Sequence, residues 1–119
     1  MRFGEQFRVL IRPSDFDGSV AFYRDTLGLG LFRSWDAPHG RGAVFQASRG
    51  LIEVELGEGT SGDPGFKGVV IQVDDADEAY RELLARGAPA TAPYNASWGH
   101  RLFFVEAPDG VKLLCFQGI

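Results

Sequence analysis

Cysteine is nearly missing from this sequence: Cys115 is the only one in 119 residues. No disulfide can form within the chain, which excludes the disulfide-stapled class of small secreted scaffolds. The thiol falls in the apolar run Leu113-Leu114-Cys115-Phe116 and reads as a buried, inert group. Histidine is scarce too, with His39 and His100 alone; together with Glu53 or Glu55 they would supply enough metal donors on paper. No apolar run approaches the ~18 residues of a membrane-spanning helix. Met1 to Gln6 lack the apolar stretch of a signal peptide, and the expectation is a cytoplasmic protein. Basic charge is also in deficit. The formal net charge of −4 runs against the basic face of nucleic-acid binders, so neither nucleic acid nor membrane is expected as a partner.

What is present is a unit used twice. Arg8-Val9-Leu10-Ile11-Arg12-Pro13-Ser14-Asp15 runs into Asp17-Gly18-Ser19-Val20-Ala21-Phe22-Tyr23-Arg24-Asp25-Thr26-Leu27-Gly28. Gly68-Val69-Val70-Ile71-Gln72-Val73-Asp74-Asp75 runs into Asp77-Glu78-Ala79-Tyr80-Arg81-Glu82-Leu83-Leu84-Ala85-Arg86-Gly87. A shift of roughly sixty residues superposes strand on strand and helix on helix. It also lays His39-Gly40 on Trp98-Gly99, Phe45 on Phe104 and Glu55 on Leu114. The chain is long enough for one core and too short for two independent ones. The expectation is therefore a single domain over 1–119, with module one at about 5–57, a linker at about 58–66 and module two at about 67–118.

Within module one, Phe7 to Arg12 reads as a strand. A helix follows, capped by Asp15 or Asp17, striped by Val20, Ala21, Tyr23 and Leu27, and stopped at Gly28. Leu29 to Trp35, Ala43 to Ala47 and Leu51 to Leu56 complete the module as strands. Gly57 to Gly65, rich in glycine and small polar residues, is the linker. Module two repeats the order: strand 68–73, a helix from near Asp75 to Gly87, and a weak strand near Ala88 to Ala92. A last hairpin, Trp98 to Glu106 and Val111 to Gln117, turns at Ala107-Pro108-Asp109-Gly110. The fold class is α+β, two βαβββ modules forming a curved sheet cleft with the helices outside.

Asp15-x-Asp17-x-x-x-Ala21-Phe22-Tyr23-x-x-x-Leu27-Gly28-Leu29, then Trp98-Gly99-x-Arg101-x-Phe103 and Pro108-Asp109-Gly110, together resemble the vicinal oxygen chelate superfamily of glyoxalases, bleomycin-resistance proteins, fosfomycin-resistance enzymes and extradiol dioxygenases. The resemblance covers nearly the whole chain and implies paired βαβββ modules and a homodimer. It also implies, for the enzymatic members, one divalent metal held by His, Gln or Glu from the first and last strands of each module. Those positions fall on Arg8, Glu55, Gly68 and Leu114. A guanidinium has no lone pair to give, glycine has no side chain and leucine is hydrocarbon. Glu55 alone makes no catalytic metal site. The metal is not carried over, no cofactor is expected, and the two histidines, each beside a glycine, read as solvated or hydrogen-bonded surface residues and not as ligands.

Alternation along strands assigns faces. Val9, Ile11, Ile52, Val54 and Leu56 point to the helix, leaving Arg8, Leu10, Arg12, Leu51, Glu53 and Glu55 opposite. Module two places Gly68, Val70, Gln72, Lys112, Leu114 and Phe116 on the corresponding face. One half of the cleft is thus charged and the other apolar, with Arg8 and Glu55 expected to form an ion pair. Phe22, Tyr23 and Phe45 read as core, and Trp98, followed by Trp35, as ligand-facing rings. The candidate ligand-binding set is Arg8, Arg12, Trp35, Phe45, Glu55, Trp98, Phe103 and Leu114, with no catalytic residue. It suits a planar aromatic molecule, bound and sequestered as by a bleomycin-resistance-like protein. A metal-dependent glyoxalase- or dioxygenase-type enzyme with displaced ligands is the alternative.

Overall fold

The computed structural model describes residues 1–57, 67–108 and 111–118. The expected linker at 58–66 and the tip of the last turn, Asp109-Gly110, lie outside them. Strand, helix and three strands occur twice: β1 (Phe3–Ile11), α1 (Phe16–Ala21), β2 (Gly30–Ala37), β3 (Gly40–Ala47) and β4 (Gly50–Gly57), then β5 (Lys67–Val73), α2 (Ala76–Ala85), β6 (Tyr94–Asn95), β7 (Arg101–Glu106) and β8 (Lys112–Gln117). The fold is mixed α+β. Two compact units divide it, one of Arg8–Lys67 and one of Met1–Phe7 with Gly68–Ile119. The division falls inside β1, between Phe7 and Arg8.

In the first unit the strand order is β2-β3-β4-β1. β1 runs parallel to β4, with Arg8 opposite Leu51, Leu10 opposite Glu53 and Ile11 opposite Val54. β3 pairs antiparallel with both β2 and β4. The core lies on the helix side, where Phe16, Ala43, Phe45 and Val54 are buried under Val20, Tyr23 and Leu29. Asp15 caps α1 by accepting from the Gly18 amide at 3.0 Å. After Ala21 the helix widens into a π-helical turn over Phe22–Thr26. That widening moves the apolar stripe. Tyr23 lands on Phe45 with ring centroids 6.0 Å apart, while Leu27, expected in the stripe, is exposed and Leu29 takes its place. Val9 is 38% exposed, although its pairing with Ile52 sets its side chain on the helix side as expected.

In the second unit the order is β5-β8-β7-β6, with β5 parallel to β8. Val73, Ala76, Ala79, Phe103, Val105 and Cys115 form the core under α2. Asp75 caps α2 through the Glu78 amide at 3.0 Å, and Gln117 Oε1 accepts from the Ala76 amide at 2.8 Å. The strand expected near Ala88 to Ala92 is reduced to one bridge, Ala90 to Val105, and pairing resumes at Tyr94–Asn95. Pro89 and Pro93 lack the amide hydrogens a continuous ladder requires. The strand expected from Trp98 starts at Arg101, because Gly99 turns the chain with φ of +99°.

Candidate functional site

In the first unit the sheet face turned away from α1 carries the chemistry. Cross-strand partners share a face, so the register orders it. One row runs Leu10, Glu53, Val44 and Arg33 across β1, β4, β3 and β2; the next runs Glu55, Gly42 and Trp35 across β4, β3 and β2. A bulge between Leu31 and Arg33 re-aims β2, placing Leu31 opposite Phe45 on the core side and Arg33 opposite Val44 on this one.

Four ionic groups sit here, with Arg8, Arg12 and Glu53 buried and Glu55 partly so. Arg8 Nε donates to Glu53 Oε1 at 2.7 Å, with both side chains 7% exposed. Arg12 Nε lies 3.3 Å from Glu55 Oε1, with side chains 5% and 14% exposed. The expected pair of Arg8 with Glu55 is thus corrected: Arg8 closes on Glu53 and Arg12 on Glu55. In the parallel register Arg8 stands opposite Leu51, one step along the face from Glu53. Burial raises the Glu55 carboxyl to about 7, helped by the charge of Glu53 and a hydrogen bond with it, and opposed by Arg12 and Arg8. Glu55 therefore keeps its proton to higher pH than a carboxyl in water, because burial disfavours its charged form. Glu53 was placed on this face by alternation, but its role as the Arg8 partner was missed.

Trp35 lies flat over Gly42. A Cβ on Gly42 would stand 2.0 Å from indole Cζ2, so only glycine admits the ring there. The Arg33 guanidinium stands 5.3 Å from the ring centroid. Neither Arg33 nor Gly42 was singled out from the sequence, since the bulge that exposes the first has no sequence signal. Phe45 is fully buried on the helix side, so of its two expected roles the core one holds and no surface remains for a ligand.

The remaining candidates belong to the second unit. Phe103 is also fully buried, edge-on to Tyr80 at 5.9 Å between centroids. It is core, because its place in β7 puts it on the helix side with Val105 and Cys115. Leu114 is buried on the opposite face with Val70, Leu102 and Phe116. Trp98 is 36% exposed and donates through Nε1 to His100 Nδ1 at 3.3 Å, and the His100 ring stacks on Phe116 with centroids 4.8 Å apart. Cys115 is buried, and burial pushes its thiol up to about 11.

A divalent metal does not fit these residues. Among the described residues no three of His, Cys, Asp and Glu come together as a metal site requires. Arg8, Gly68 and Leu114 offer no donor.

Residues 6–114 match the model of the Glyoxalase/Bleomycin resistance protein/Dioxygenase superfamily. A probable lactoylglutathione lyase of Synechocystis sp. is 29% identical over 119 aligned residues, covering 91% of each chain. The lactoylglutathione lyase of Salmonella typhimurium is 28% identical, over 87% of this chain and 85% of its own. A hypothetical protein from Bacillus halodurans superposes with a TM-score of 0.76 at 17% identity, over 94% of this chain and 92% of its own. Methylmalonyl-CoA epimerase from Mycobacterium tuberculosis superposes at 0.72 and 21%, over 94% and 86%. At these identities the two structures speak to the fold alone. No helix among the described residues is long and apolar enough to cross a membrane.

Proposed function

The chain belongs to the glyoxalase/bleomycin resistance protein/dioxygenase superfamily, and from that membership we propose a metal-independent protein that binds and sequesters a planar aromatic small molecule. The observation that carries the reading is the ionic set itself. Arg8, where the resemblance would place the first metal ligand, is committed to Glu53 at 2.7 Å and has no lone pair to offer a metal. In place of a metal, the face presents charged groups that orient a ligand and the Trp35 ring to stack on it, a contact worth about 0.5–1.5 kcal/mol beyond buried area. A homodimer, as the resemblance implies, is the expected assembly.

The test is a tryptophan-fluorescence screen of the purified chain against planar aromatic compounds, in metal-free buffer and again with Zn²⁺ or Ni²⁺. Quenching that is saturable and indifferent to chelator supports the reading. A ligand response that vanishes with chelator overturns it. One finding favours a second reading, a metal-dependent enzyme: the curated relatives are lactoylglutathione lyases. That reading requires lactoylglutathione lyase activity that returns when divalent metal is restored to the stripped chain.

A further inference from the structure

The ionic face also bears on which planar molecules it suits. Glu55 is the most exposed member of the quartet at 14%, against 5% for Arg12 and 7% for Arg8 and Glu53. Its Oε1 stands at ion-pair distance from Arg12 but accepts no hydrogen bond among the described residues. A buried carboxylate oxygen without a donor is costly, and a ligand that donates to it recovers that cost.

The charges around it are balanced. β1 supplies Arg8, with Arg12 just after its end, β4 supplies Glu53 and Glu55, and the residues β3 sets on this face, Gly40, Gly42, Val44 and Gln46, are all uncharged. β2 adds Arg33, whose guanidinium is engaged over the Trp35 ring. An anion would meet two carboxylates here and a cation would meet two guanidiniums, so a neutral donor is favoured.

Trp35 supplies the way in. The register sets Gly42 between Trp35 and Glu55, and the six-membered part of the indole fills the space over Gly42. The ring thus lies over the β3 residue that the register sets next to Glu55. It is held by packing on Gly42 and by Arg33, with no hydrogen bond among the described residues, so it can shift to admit a ligand.

We propose that this face selects neutral, planar heterocycles of the lactam type, whose ring N–H donates to Glu55 while the ring stacks on a displaced Trp35. The inference rests on the small-molecule-binding reading and narrows it to one ligand class. It has a pH signature. An N–H donor needs the ionised carboxylate, and Glu55 loses its proton near 7. Affinity therefore rises with pH, about tenfold from pH 6 to pH 8. A carboxylate ligand needs the protonated form and shows the reverse slope.

The probes are 2-quinolone, N-methyl-2-quinolone and 2-naphthoate. Binding is read from the indole N–H resonance of Trp35, assigned with Trp98→Phe. The expected result is that 2-quinolone shifts this resonance at pH 8, binds at least tenfold more tightly than its N-methyl analogue, and weakens about tenfold at pH 6. Glu55→Gln should abolish the pH dependence while leaving the protein folded by amide dispersion. Equal binding of the N-methyl analogue, or tighter binding of 2-naphthoate at pH 6, overturns the inference and leaves the broader reading standing. No shift by any of the three overturns the inference as well, and the broader reading then stands or falls on the fluorescence screen.

Discussion

The two modules share a scaffold and differ in chemistry. Asp15 and Asp75 cap the two helices through equivalent amides, and Gly28 and Gly87 stop them at φ of +71° and +84°. Tyr23 meets Phe45 at 6.0 Å as Tyr80 meets Phe103 at 5.9 Å. Across the sheet the likeness ends. Module one buries Arg8, Arg12 and Glu53 beside Glu55, while module two buries Val70, Leu102, Leu114 and Phe116. The helix side must fit a helix and keeps its pattern. The other face carries no such demand, so it is where chemistry varies.

Core deletions test the shared half of that comparison and should have the largest effect. Phe45→Ala and Phe103→Ala are each expected to cost about 3–5 kcal/mol in urea unfolding, and by similar amounts if the two cores are equivalent. A loss several times greater at one site would show that the modules only look alike.

The next effect separates the two faces. Arg8→Met leaves Glu53 buried without the guanidinium that now stands 2.7 Å away, and should cost about 3 kcal/mol. Adding Glu53→Leu should recover most of that loss, because two apolar groups need no partner. In module two, Leu114→Met changes shape but not polarity and should cost less than about 1.5 kcal/mol. Equal losses from Arg8→Met and Leu114→Met would mean that the charged face carries no special energetic burden.

The pH dependence of stability is a third, smaller distinction. The folded carboxyl of Glu55 titrates at about 7, against 4.5 for the unperturbed group. The folded chain therefore holds a proton that the unfolded chain releases. The resulting stabilisation is full below about pH 4.5, is lost as pH rises toward 7, and changes little beyond. Glu55→Gln should flatten this slope and leave the variant relatively more stable at pH 8. A wild-type melting temperature that rises between pH 5 and pH 7 through this residue would contradict the raised value.

The sequence showed the repeat, the helix caps and the division of faces because all three rest on local rules: turn chemistry at Asp15 and Gly28, and alternation along Arg8 to Arg12. It misplaced what depends on register. Sliding the modules by one fixed shift matched Phe45 with Phe104, but Phe103 is the ring that does the equivalent work. The offset drifts because module two replaces the continuous β2 strand by an irregular Pro-containing stretch before β6. The Arg8 partner was misjudged for a related reason. Which of two glutamates two residues apart on one strand faces Arg8 is set by the parallel β1–β4 register, and no residue type along either strand specifies that. Phe103 as a ligand contact failed more simply, since its parity in β7 assigns it to the helix side with Cys115.

The smallest predicted effect sharpens the comparison at the helix starts. The amide that receives the cap belongs to Gly18 in α1 and to Glu78 in α2. Glu78 accommodates a side chain there, whereas a Cβ on Gly18 would stand 2.2 Å from Asp15 Oδ2. Gly18→Ala therefore brings two opposed changes. It gains about 1 kcal/mol of helix propensity, and it displaces a cap worth about 1 kcal/mol. In the wild-type chain the net change in unfolding free energy should be under about 0.5 kcal/mol. In an Asp15→Ala background the cap is already gone, and the same substitution should stabilise by close to the full propensity term. Identical effects in the two backgrounds would show that Asp15 and the new methyl group do not compete, and that α1 begins with the same latitude as α2.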